Sequence, residues 1–129
     1  MSETYSDEWR KEHGLPTREQ ELRIPEGLSP RGREAAEIIL KRLREFKHDI
    51  TSGGCTTFYT PEAWKKRGEE YGLGGCLIVV YDGGEVLPHM SLDGYAYPLV
   101  EKMDALLQAA GFHKEECTRW YAAIYDDRA

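Results

Sequence analysis

Apolar positions along this chain are scattered before residue 28, recur at helical spacing over 29–47, and crowd into an unbroken run at 76–81. In LSPRGREAAEIILKRLREFKHD, Ala35, Ile39, Leu43 and Phe46 share one helical face with Ala36 and Leu40 beside it, the i, i+3, i+4 stripe of a helix that faces a core. Ser29 is suited to cap the free amides, and Pro30 fits the first helical position, where no amide is needed. The pattern predicts a helix from there to about Lys47.

After the break at ITSGG, CTTFY (55–59) has the β-branched and aromatic composition of a strand. Thr60 and Pro61 open a second predicted helix, PEAWKKRGEEYG, ending at Gly72, with Trp64, Gly68 and Tyr71 on one side and Gly68 as a close-packing point. CLIVVY (76–81) is apolar on both parities and predicts a central strand covered on both faces. Asp82-Gly83-Gly84 reads as a hairpin turn, returning through EVLPHM (85–90), which Pro88 places at a sheet edge. A third helix is expected from about Asp93, burying Leu99, Met103, Leu106, Leu107 and Ala110, with Gly111 closing it and Phe112 folding back on Leu107. CTRWYAAIYDD predicts a closing strand, Thr118, Trp120, Ala122 and Ile124 alternating against Arg119, Tyr121, Ala123 and Tyr125.

The expected fold is therefore α+β, a small mixed sheet of about four strands with three packed helices in the order α-β-α-β-β-α-β. The strands at 55–59 and 76–81 would form a parallel βαβ unit with Cys55 and Cys76 at the same end. Residues 1–28, polar and carrying Pro16 and Pro25, read as an N-terminal arm; residues 29–129 read as a single domain.

With 129 residues, one core is expected. The net charge of −6 argues against a nonspecific nucleic-acid binder, which draws its affinity from many Lys and Arg contacts. The longest apolar run is far short of the roughly 20 residues that cross a bilayer, and MSETYSDEWRKEHG has no apolar signal region; a cytoplasmic protein with no membrane association is expected. Three cysteines, at 55, 76 and 117, show no C-x-x-C spacing, so neither a disulfide framework nor a zinc site follows, and no metal or cofactor is expected. YGLGGC precedes a strand and lacks a following Lys-Ser/Thr, so it is not a phosphate loop.

Three kinds of function remain. The helix at 31–47 carries Arg31, Arg33, Lys41, Arg42, Arg44 and Lys47, but Glu34, Glu37 and Glu45 are interleaved, which favours a solvated face over a nucleic-acid footprint. A small enzyme would use His89 with Asp82 or Asp93, or a Cys-His pair built on Cys55 or on His113 with Cys117. The leading reading is protein–protein binding. Eight tyrosines and three tryptophans exceed what one small core buries with every polar tip satisfied, so Tyr121, Tyr125, Tyr95 and Tyr97 are the expected binding residues. They would act with the free edge at 85–90, Trp120 lies in the core, and the partner is another protein or a second copy in a homodimer.

Taken in order, FYTPEAWKKRGEEYG, LIVVYDGG and CTRWYAAIY resemble a group of small uncharacterised proteins encoded by actinobacteria and their phages, over roughly residues 27–126. The resemblance implies an accessory role, such as phage–host interaction, and carries no activity or catalytic residue with it.

Overall fold

The computed structural model describes residues 6–15, 17–46, 56–81 and 84–128. Among these residues, six α-helices and four strands follow one another: α1 (Asp7–Glu12), α2 (Arg18–Glu21), α3 (Pro30–Phe46), β1 (Phe58–Tyr59), α4 (Pro61–Lys66), β2 (Leu77–Val80), α5 (Leu87–Met90), α6 (Tyr97–Ala109), β3 (Phe112–Glu116) and β4 (Tyr121–Asp126). The fold is α+β. Its sheet has the order β1-β2-β4-β3, and every pairing is antiparallel.

The antiparallel pairing corrects the expected mixed sheet. α4 has only six residues, at about 1.5 Å each, too short to carry the chain back along the sheet as a parallel crossover would. It lies over one face instead, and Tyr59 pairs with Ile78 in antiparallel register. The second helix also ends earlier than its pattern suggested. Gly68 follows it at φ +92°, beyond the last turn, and a Cβ there would meet nothing, so it is a stop signal and not a packing point. The expected return strand at 85–90 is absent: Val86 to Met90 wind into the helical turn α5, where Pro88 suits the first turn. The slot beside β2 that this strand would have filled belongs to β4, with Val80 opposite Tyr121. Asp82 and Gly83, the expected hairpin turn, lie outside the described residues, as do Cys55 and Lys47.

β2 is central and buried throughout, as its unbroken apolar run requires. The alternation of its side chains divides the interior in two. Leu77 and Val79 join Phe58, Ala122, Ile124, Phe112 and the apolar stripes of α3 and α6 in the larger core. Ile78 and Val80 face Trp64, Tyr121 and Ala123 on the other side. α3 buries Ala35, Ala36, Ile39 and Leu43, while Phe46, expected in the stripe, is 47% exposed at the helix end. α6 begins four residues later than expected and buries Val100, Met103 and Leu107. β3 has no apolar alternation; its Phe-His-Lys-Glu-Glu sequence suits the charged edge strand it forms.

Described residues of the segment before residue 28 contact this body. Leu22 belongs to the larger core, the Thr57 amide donates to the Glu21 carbonyl at 2.7 Å, and the Arg10 guanidinium pairs with the buried Glu21 carboxylate.

Candidate functional site

Two of the four expected binding tyrosines stand on the surface together. After α5, Ser91 turns the chain: its buried hydroxyl accepts from the Asp93 amide at 3.1 Å, and the Gly94 amide donates to the Ser91 carbonyl at 3.1 Å. The Leu92 amide donates to Glu116 Oε1 at 3.3 Å and the Tyr95 amide to the Leu92 carbonyl at 3.1 Å. Gly94 is pressed onto α5, where a Cβ would come within 2.7 Å of the Pro88 Cα. The chain then leaves through Tyr95 at φ +56° and ψ +30°, a left-handed conformation that is uncommon for a bulky residue and costs roughly 1–2 kcal/mol. The outcome is a pinned turn that holds large side chains in solvent, with Tyr95 89%, Tyr97 56% and Leu92 50% exposed.

The other two tyrosines are placed differently. Tyr121 is 1% exposed, beneath Trp64 with ring centroids 4.9 Å apart, and its hydroxyl donates to the Tyr71 carbonyl at 3.2 Å; a partner cannot reach it. Tyr125 is half-buried, stacked on His113 at 5.1 Å. Trp120 sits outside β4, because the Thr118 hydroxyl accepts from the amides of Trp120 and Tyr121 in a turn, and the strand starts only at Tyr121. It packs in the smaller cluster with Trp64 and Tyr121, and not with Ala122 and Ile124.

The enzyme candidates among the described residues do not come together. His89 is buried on α5, its ring edge-on to Phe46 at 4.7 Å, and Nδ1 has no hydrogen-bond partner among the described residues. Burial, and then the Arg42 charge, hold its pKa below the ordinary imidazole value. Asp93 is exposed, so the two do not form a dyad, and Asp82 and Cys55 lie outside the described residues. His113 pairs with Asp127 at 2.5 Å, whereas the Cys117 thiol points to the Glu115 carbonyl at 3.6 Å and burial raises its pKa. Among the described residues, no three His, Cys, Asp or Glu side chains gather as a metal site would need.

A cleft of about 400 Å³ lies between α3, α4 and the start of β2, lined by Ser29, Glu62, Lys65 and Cys76 among others. Ser29 Oγ is engaged by the Gly32 amide at 3.0 Å, and burial, with Asp126 adding to it, raises the Cys76 thiol. Among its described residues, the cleft thus holds neither an activated nucleophile nor a paired base.

The basic face of α3 is partly committed to structure. Arg31 donates to Asp126 at 3.0 Å and to the Ala110 carbonyl at 2.8 Å, and lies over the Phe112 ring at 3.9 Å. Arg42 pairs with Glu45 at 3.3 Å. Arg33, Lys41 and Arg44 remain exposed.

One signal around the turn is visible in the sequence once its position is known. Residues 68–101 hold six carboxylates, Glu69, Glu70, Asp82, Glu85, Asp93 and Glu101, and no lysine or arginine; the rest of the chain balances 17 cations against 17 anions. The stretch that contains the exposed turn thus carries a charge of −6 with no cation of its own. Among the described residues, no helix is long and apolar enough to cross a membrane, and Cys76 and Cys117 are free thiols. Compared with family models, with curated proteins and with solved structures, the chain shows no significant match.

Proposed function

We propose that this protein is a cytoplasmic accessory protein that acts by binding another protein through the turn at 92–97, with Tyr95 and Tyr97 as its anchors. The observation that carries the reading is Tyr95: an almost fully exposed aromatic held in a left-handed conformation. Backbone strain retained at an exposed position gains nothing for the core, and such strain clusters where function requires it. The hydrogen bonds that pin the turn reduce the entropy lost on docking, and tyrosine supplies large contact area with few rotatable bonds. Free thiols in the described residues are in keeping with a reducing compartment.

A photo-cross-linking amino acid at Leu92 tests this in host lysate. A discrete adduct is expected, lost in Tyr97→Ala and in Tyr95→Gly, since anchors of this kind contribute at least about 2 kcal/mol, roughly thirtyfold in affinity. Tyr95→Gly separates binding from folding, because glycine relieves the left-handed strain; its unfolding free energy should equal the parent's or exceed it by up to about 1 kcal/mol. An adduct that persists in the double variant would refute the reading. Sedimentation of the same variants identifies a second copy as the partner if a dimer forms and Tyr97→Ala dissociates it.

A further inference from the structure

Resting on that reading of the turn, we infer that the segment it takes is cationic: a stretch of another protein whose arginine side chains lie on the Tyr95 and Tyr97 rings and pair with the carboxylates around them. The exposed aromatic turn is set in a stretch that carries carboxylates and no cation, since no lysine or arginine occurs between Arg67 and Lys102. Asp93 lies in the turn itself, and Glu101, one helical turn beyond Tyr97 on α6, shares its face. Glu116 reaches the turn from β3 through the Leu92 amide.

The nearby cations are directed elsewhere. The Lys114 ammonium is buried between Asp104 and Glu116. Lys102 lines the groove between α3 and α6 beside Lys41 and Arg42, away from the turn. The amino end of α6 opposes a cation, but it carries only about half a unit of positive charge, against the full charges of Asp93 and Glu101. Tyrosine faces attract guanidinium through the ring quadrupole, and a planar guanidinium both stacks on a ring and bonds a carboxylate. An acidic or purely apolar segment would leave the carboxylates opposed or desolvated without a partner.

The probe is a fluorescein-labelled peptide of repeating Arg-Gly-Ser, compared by anisotropy with lysine and citrulline versions of the same length. The arginine peptide should bind saturably, the lysine peptide several-fold more weakly, and the neutral citrulline peptide at least tenfold more weakly. Tyr95→Gly with Tyr97→Ala should weaken arginine-peptide binding at least tenfold, and Asp93→Asn with Glu101→Gln should both weaken it and flatten its salt dependence. The inference is overturned if the arginine peptide does not saturate below about 1 mM, if citrulline binds equally, or if the tyrosine variant binds as the parent does. Competition in the cross-linking experiment separates the two conclusions. A tyrosine-dependent adduct unaffected by excess arginine peptide would sink the cationic partner and leave the turn as the binding surface, whereas loss of both signals would sink both.

Discussion

His89 shows how one buried side chain makes the fold respond to pH. Its ring lies between α5 and α3, against Phe46, and desolvation together with the Arg42 charge disfavours the imidazolium there. Unfolded, the same ring takes up its proton at an ordinary value near 6.5. The unfolded chain thus binds more protons as pH falls through that value, so the stability due to neutral His89 is fully present above it and is lost on acidification toward the lower folded value. Urea unfolding between about pH 7.5 and 5.5 should show stability falling by at most about 1.4 kcal/mol per pH unit for this one proton. His89→Leu should flatten the profile; an unchanged slope would mean that another group controls it.

At the scale of elements, close approach sets the limits. α3 crosses the start of β2 at Gly32, where an added Cβ would lie 2.3 Å from the Cys76 carbonyl oxygen. Alanine is worth about 1 kcal/mol more than glycine in a helix interior, but overpacking against backbone costs about 1–3 kcal/mol. The clash should win: Gly32→Ala is expected to lower the unfolding free energy by roughly 1–2 kcal/mol. A more stable variant would show that α3 can lift from the strand without loss. On the opposite face, the six residues of α4 matter chiefly because they deliver Trp64, which contacts Tyr59, Trp120 and Tyr121 at once. That one indole roofs the second face and buries Tyr121.

Across the whole molecule, described residues of the N-terminal segment contact the folded body. Leu22 fills part of the larger core and the Glu21 carbonyl satisfies the amide of buried Thr57 just before β1. Removal of residues 1–28 would open a leucine-sized cavity and strand a buried donor. The truncated chain should lose at least about 2 kcal/mol in urea unfolding; equal stability would return the segment to the status of a dispensable arm. Charge is organised on the same scale, since residues 68–101 carry six carboxylates and no cation while α3 pairs its own Arg31 with Glu34 and Asp126.

Local physics alone determined the elements whose cues lie within a few residues: α3 from its apolar stripe and Pro30, the Thr60–Pro61 start of α4, the close of α6 at Gly111, and β2 as a central strand from its two-sided apolar run. Which strands pair, and in which direction, depends on distant chain. The slot beside β2 was open to the nearby 85–90 or to β4, and only packing of the complete molecule assigns it to β4. β3 escaped notice because an edge strand needs no apolar alternation. The binding residues divided for the same reason. Period-two alternation places Tyr121 and Tyr125 on one face, but whether that face meets solvent rests on Trp64, far away in sequence. Tyr95 carries no local mark of its left-handed backbone, which arises from the Ser91 turn and Gly94 pressed against Pro88. Sequence spacing specifies periodicity and caps because these act over one or two turns of chain. Exposure, register and strain are properties of what the rest of the chain brings alongside, and the tertiary structure decides them.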